Sequence, residues 1–262
     1  MFDLTKFLNT AFKAVNEAEK IVMKYYGKTK KINHKGRVDL VTQADIKSEN
    51  KIVHVIKNKF PDHGFILEET DDIKNNSEFV WIIDPIDGTT SFAHDYPMFS
   101  ISIALYKNNV PLIGVVKVPY LNELFYAKKG EGAFLNNKKI NVSKTNKIEK
   151  SLIGTGFPYS RVEGGKDNLS YFNKIAKVAG GLRRSGSAAI DQCYVACGRL
   201  DAYWEIDLKI MDSAAAKLIV EEAGGKYTDL GGKKIRDKFT TIVATNGLIH
   251  EKLLKILTNS RR

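Results

Sequence analysis

The chain has 262 residues, enough for one large domain or two closely joined ones, and its hydrophobic fraction of 43% is that of an ordinary globular core. No apolar run approaches the roughly 18 residues of a membrane span. The start, Met1-Phe2-Asp3-Leu4-Thr5-Lys6, lacks a basic segment followed by an apolar one, so a cytoplasmic protein without a signal peptide is expected. Lys and Arg exceed Asp and Glu by 41 to 30, a net charge of +11 that favours anionic partners, but the lysines are dispersed, only 28–31 and Arg183-Arg184 are compact, and no nucleic-acid-binding motif stands out.

Leu8, Ala11, Val15, Ala18, Val22 and Tyr25 recur at helical spacing over residues 4–26, and Gly27 is a natural stop. Residues 28–37 read as a polar loop or hairpin. Asp39-Leu40-Val41-Thr42-Gln43-Ala44-Asp45 leads into a second helix over about 44–59, ended by Pro61. Thr42 and Asp45 stand at the spacing of a capping box, which is by itself a sufficient reason for both. A short strand over 65–67 delivers Glu68-Glu69. Residues 79–83 form an apolar run of buried-strand length. Asp84-Pro85 followed by Asp87-Gly88 predicts that this run ends in a tight turn.

Two carboxylates three positions apart on such a turn either cap it or converge on one point, and as hard ligands they suit Mg²⁺ or Mn²⁺. Gly88 lets the backbone approach a ligand closely. Thr89-Thr90 can open a helix whose free N–H groups face an anion. His94, the histidine nearest this stretch, is read as a surface residue.

Strands over 99–106 and 110–118 joined at Asn108-Asn109 read as a hairpin, and short strands follow over 124–127, 133–135 and 139–142. The first half, 1–146, thus reads as α+β with a largely antiparallel sheet. In the second half, 147–262, strands over 152–155, 181–184, 202–206 and 241–244 alternate with helices over 168–179, 187–197, 212–223 and 247–257, an α/β pattern. Asp212 is placed as the N-cap of its helix. Cys193 and Cys197 share one helix face without further metal ligands nearby and are read as reduced, structural thiols.

Asp84-Pro85-Ile86-Asp87-Gly88-Thr89-Thr90 resembles the signature of the inositol monophosphatase family, the Mg²⁺-dependent, lithium-sensitive sugar phosphatases. The resemblance runs through nearly the whole chain. Glu68-Glu69 is similar to the family's Gly-Glu-Glu element, with Leu67 in place of the glycine. Residues 39–45 are similar to its D-L-V-T-x-x-D element. Residues 201–225 are similar to its second signature, with Asp207 where glycine is common, Ile210 for proline and Met211 for tryptophan.

The resemblance implies a layered αβαβα sandwich with the site between the halves. It implies two to three Mg²⁺ ions, with Mn²⁺ as substitute, on Glu68, Asp84, the Ile86 carbonyl, Asp87 and Asp212, with Glu69 behind them. Asp45 is implied to activate water through the Thr89 hydroxyl, and the Gly88 and Thr89 amides to hold the phosphate. Gly186, Ser187, Ala188, Glu205 and Asp212 are placed at the sugar. Arg184 helps with an anionic substrate, makes a dimer contact or is simply exposed.

The implied reaction is hydrolysis of a small phosphorylated metabolite, myo-inositol-1-phosphate first, by a homodimer. Fructose 1,6-bisphosphate, histidinol phosphate and 3′-phosphoadenosine 5′-phosphate are the alternative substrates. An alternative of another class is a partner of RNA or of the transcription machinery, the role of some bacterial relatives.

Overall fold

The computed structural model describes residues 3–28, 32–35, 39–235 and 240–259, with the backbone alone at 32–35, 39–42 and 163. The basic residues Lys30 and Lys31, and the Thr42 hydroxyl of the expected capping box, lie outside the described residues. Two helices, α1 (Leu4–Tyr25) and α2 (Gln43–Lys57), pack against each other and are linked through the hairpin β1 (Ile32–Lys35) and β2 (Asp39–Thr42). They cover one face of a seven-stranded sheet. Its strands are β3 (Gly64–Ile66), β4 (Phe79–Asp87), β5 (Ser100–Lys107), β6 (Val110–Val118), β7 (Glu123–Lys128), β8 (Gly132–Leu135) and β9 (Lys138–Ile140), in chain order across the sheet. All neighbours are antiparallel except β3 and β4.

The other face of that sheet rests on α5 (Ala188–Ala196) and α6 (Ala214–Glu222). Beneath them lies a five-stranded sheet of β10 (Leu152–Thr155), β11 (Gly181–Arg183), β12 (Ala202–Ile206), β13 (Lys226–Thr228) and β14 (Thr241–Thr245), in the order β11-β10-β12-β14-β13. Helices α4 (Leu169–Ala176) and α7 (His250–Thr258) close its far side. A one-turn helix, α3 (Thr89–Ala93), follows β4.

The result is a layered αβαβα arrangement, and the period of two along the strands explains it. Ile83, Ile103 and Val115 point to the α1/α2 side, whereas Ile82, Ala104 and Val116 point to α5 and α6. In the second sheet Tyr203 and Ala244 face the central helices, and Trp204 and Val243 face α4 and α7. Asn108 and Asn109 take positive φ, 49° and 62°, as the tight β5–β6 hairpin needs. Cys193 is buried in the central layer. Among the described residues no helix is long and apolar enough to cross a membrane.

Three expectations change. The run from Phe79 does not stop at Asp84-Pro85: β4 continues to Asp87 through a bulge. Asp84 pairs with Ser102 and Asp87 with Ser100, so β4 takes three steps where β5 takes two. Pro85 cannot donate to a ladder, and a bulge is where a strand tolerates it. Asp212 is not the N-cap of its helix; α6 begins two residues later, with Ser213 at the cap position. The short strand β13, which follows Gly224-Gly225 and pairs with β14, has no apolar run of its own and was not foreseen.

The layers approach most closely at Gly114 of β6. A Cβ there would lie 2.5 Å from the Ala215 carbonyl oxygen of α6, and backbone has little room to yield. Gly114→Ala is expected to lower the unfolding free energy by about 1–3 kcal/mol, the cost of overpacking a tight contact. Urea unfolding of the two proteins measures it, and equal midpoints would mean that α6 can slide away freely.

Candidate active site

The end of β4, the loop after β10, the turn before α5, the end of β12 and the turn before α6 meet around one cavity of about 260 Å³. Glu68, Asp84, Ile86, Asp87 and Asp212 line it, with Gly88, Thr89, Gly186, Ser187, Ala188, Arg184 and Glu205. Asp45 and Glu69 do not line it; Asp45 is buried on α2. The β4 bulge turns both aspartates toward the cavity from one strand.

The acids repel one another. Burial raises the Asp84 carboxyl well above the ordinary carboxylate range, and Glu68, Asp87 and Asp212 push it further. Burial, then Glu68 and Asp87, does the same to Asp212. Glu68 is raised mainly by burial, against the pull of Lys209, whose ammonium lies 3.4 Å from its carboxylate. Glu68 and Asp84 stand close enough for each to shift the other's ionisation. Asp84 Oδ1 is buried with no hydrogen-bond partner.

An orphaned buried carboxylate oxygen among other carboxylates fits a divalent cation, because the same oxygens that repel each other can share its charge. The donors are all hard oxygens, which suits Mg²⁺ or Mn²⁺. Among the described residues, no three acidic, His or Cys side chains are already gathered as a closed ligand group.

Asp87 is the exception among the acids, because protein donors surround it. It accepts from the Ser187 hydroxyl, from the Ser100 hydroxyl at 3.2 Å, and from the Ala188 and Ala189 amides at 3.2 and 2.8 Å. These bonds oppose the rise that burial causes. The α5 amides expected to face a sugar are therefore given to Asp87. The Thr89 hydroxyl donates to the Ile86 carbonyl at 3.0 Å. Gly88 has φ 91°, and a Cβ there would lie 2.9 Å from the Met98 carbonyl oxygen. No other residue suits that position.

Glu205 is buried rather than an exposed strand-end acid, and the Tyr203 hydroxyl donates to it. Burial raises its pKa to about 8, with the Tyr203 bond opposing. Gly156 has no side chain where a Cβ would collide with the Glu205 carboxyl. Asp191 of α5 also lines the cavity, and burial raises it to about 7. The Arg184 guanidinium lies 5.8 Å from the Phe157 ring centroid, over a ring that also lines the cavity.

The model of the inositol monophosphatase family matches residues 3–262. The chain belongs to that family. It is 43% identical over 257 residues to an inositol-1-monophosphatase from Synechocystis, covering 97% of this chain and 90% of that protein. It is 40% identical to the Nus factor SuhB of Haemophilus influenzae, covering 97% and 96%. Among solved structures, the extragenic suppressor protein suhB from Bartonella henselae superimposes with a TM-score of 0.93 at 36% identity, covering 98% of this chain and all of that one. The protein is accordingly a phosphoric monoester hydrolase of a metal-dependent phosphatase family.

The family's departures in this chain find physical reasons. Asp207, where glycine is common, has φ 60°, a left-handed conformation that Asp tolerates better than most residues, and the Ser160 hydroxyl donates to it at 2.7 Å. Leu67 packs into the α1/α2 core without needing positive φ. Met211 is buried beside α6. Gly156, Tyr203, Asp191 and Lys209 escaped sequence reasoning. So did Glu49, whose carboxylate accepts from the Glu68 and Glu69 amides. Only Lys209 and Tyr203, close in sequence to Asp212 and Glu205, carried a signal.

Glu205 yields a pH dependence. Its folded pKa of about 8 lies above the ordinary 4.5, so its contribution is whole below about pH 4.5 and is lost as pH rises toward about 8. Glu205→Gln removes that titration. Between about pH 6 and about pH 9 the unfolding free energy of wild type should fall more steeply than that of the variant. Parallel slopes in urea titrations at the two pH values would show that Glu205 ionises normally.

Proposed function

We propose that the protein hydrolyses a small polyol phosphate monoester, myo-inositol-1-phosphate first, with two to three Mg²⁺ ions held by Glu68, Asp84, the Ile86 carbonyl, Asp87 and Asp212. The observation that carries this reading is one cavity lined both by mutually repelling acids and by the buried Glu205. Bound there, the ions supply charge neutralisation, a more acidic water and stabilisation of the leaving oxygen. Mn²⁺ would substitute for Mg²⁺ on the same oxygens.

The chain's own groups do the remainder. The Gly88 and Thr89 amides hold the phosphate, reached because glycine lets the backbone turn there. Asp45 draws a proton from water through the Thr89 hydroxyl, which turns from the Ile86 carbonyl to donate to Asp45. A protonated Glu205 both donates to and accepts from ring hydroxyls, and Arg184 lines the same cavity for an anionic substituent. The Synechocystis relative, named an inositol-1-monophosphatase, supports the choice of substrate.

A phosphate-release panel tests it. With Mg²⁺, inositol-1-phosphate should give the highest kcat/KM among it, fructose 1,6-bisphosphate, histidinol phosphate and 3′-phosphoadenosine 5′-phosphate, and EDTA should abolish release. Another ester in first place would replace the substrate, and EDTA-resistant release would overturn the mechanism. A homodimer is part of this reading, and sedimentation velocity at micromolar concentration decides it.

The name of the Haemophilus relative, a Nus factor, supports a second reading in which the chain also engages the transcription machinery. Salt-sensitive binding to RNA or to transcription proteins by the Asp84→Asn variant would favour it.

Asp45 separates catalysis from helix capping. Asp45 is the third residue of α2, where a capping box needs only an accepting side-chain oxygen, and Asn keeps one, but it lacks the basic oxygen. Asp45→Asn should therefore lower kcat by roughly 10²–10⁴-fold, the usual range of general-base catalysis, with Mg²⁺ affinity and Tm little changed. Thr89→Ala should behave alike, and the double variant no worse than the poorer single, because groups acting as a unit are not additive. An Asp45→Asn enzyme with half its activity would return Asp45 to capping alone.

A further inference from the structure

Glu68 stands in a segment that no ladder fixes. The strand before it, β3, is three residues long at the sheet's edge, and residues 67–70 belong to no element. Leu67 is tied by its amide to Asp72 Oδ1 at 3.0 Å. The next three residues are tied to one side chain. Glu49 Oε2 accepts the Glu68 amide at 3.0 Å and the Glu69 amide at 2.9 Å, and Oε1 accepts the Thr70 hydroxyl at 2.7 Å. Glu49 is fully buried, on the second turn of α2, four residues after the buried Asp45.

A carboxylate is buried this way only when donors surround it, and bonds to an ionised acceptor are the strong, short kind. An apolar residue would satisfy a helix face at no such cost. Glu49 therefore fastens the two successive amides that set the direction of the Glu68 side chain, and it does so from a helix fifteen residues long.

We propose that Glu49 is a positioning residue: through the Glu68 and Glu69 amides and the Thr70 hydroxyl, it holds the Glu68 carboxylate against Asp84, where a divalent cation is to be bound. The inference rests on the reading of Glu68 as a ligand. It gives α2 two separate tasks one turn apart, with Asp45 serving the water and Glu49 serving the ligand loop.

The test is Mg²⁺ binding, read by titration calorimetry and by the Mg²⁺-dependent rise in Tm rather than by turnover. Glu49→Leu fills the same space without acceptors, and Mg²⁺ should bind ~10–100-fold more weakly, the usual effect of losing a group that orients a ligand. At saturating Mg²⁺ most of kcat should return, because the reacting groups are untouched. Glu49→Gln keeps one oxygen for the two amides and turns its NH₂ to the Thr70 oxygen, so it should bind Mg²⁺ nearly as wild type does. Glu49→Asp keeps the charge but withdraws it by one methylene and should weaken binding; it decides the matter if the leucine variant does not fold. Variants with lowered Tm but Mg²⁺ affinity within about twofold of wild type would show a loop clamp without influence on the site and overturn the proposal. Wild-type protein that binds no Mg²⁺ would overturn the reading of Glu68 as well, so the two failures are told apart.

Discussion

The structure depends on how one carboxylate is held. Asp87 ends β4 of the first sheet and accepts from the first turn of α5, which lies between the sheets, while Ser100 of β5 reaches it from its own sheet. A helix leaves its first amides without partners, and an anion placed there gains both hydrogen bonds and the helix dipole. One side chain thus closes the helix end, terminates the bulged strand and fixes the two halves in register at the cavity. The close contact of Gly114 with Ala215 does the same work by shape at the middle of the layer.

Asp84 obeys the opposite logic. Its Oδ1 is buried without a partner while three other acids raise its pKa. Folding places that oxygen where it is least comfortable, among other acids on the bulged end of a strand. Such an arrangement persists only because the rest of the fold over-determines it, and it is the reason the donor set fits a cation. Asp87 is given protein donors and Asp84 none, although the two stand on one bulge. Two acids of the same type on one bulge thus differ in how far the protein itself satisfies them.

How much of this could be read from the chain follows from what carries each signal. The strands and helices were legible from local runs and spacing, but their layering was legible only through the family resemblance; the alternation that divides β5, β6 and β12 between two cores shows itself in the fold, because these strands are buried on both faces. The Asp84–Asp87 stretch was legible as chemistry but misread as structure: Pro and Gly ordinarily end a strand, and a bulge is a property of two strands in register, visible only once Ser100 and Ser102 are seen opposite. Asp212 was taken for a helix cap because Asp is a common one; its Oδ2 instead accepts from the Lys209 amide at 2.7 Å in the turn before α6. Glu49 was invisible because a lone acid in an amphipathic helix looks like a solvated one, and its partners lie 19 to 21 residues away. Gly156 likewise looks like a loop glycine until the Glu205 carboxyl is found in the space a Cβ would take.

Asp84 and Glu205, which line the same cavity, also differ in what sets their charge. Burial leads at both. At Asp84 each further influence adds to the rise, and each is a neighbouring acid that a shared cation would convert from a repelling charge into a fellow ligand. At Glu205 the next influence opposes the rise: the Tyr203 hydroxyl donates to it, and the glycine at 156 leaves it a fitted space. Glu205 is not isolated from the other acids, because Asp87 and Asp191 also push it up. A positive charge beside Asp87 would therefore ease Glu205 as well as Asp84, and what then distinguishes Glu205 is the burial that leads its shift and the Tyr203 hydroxyl that answers it.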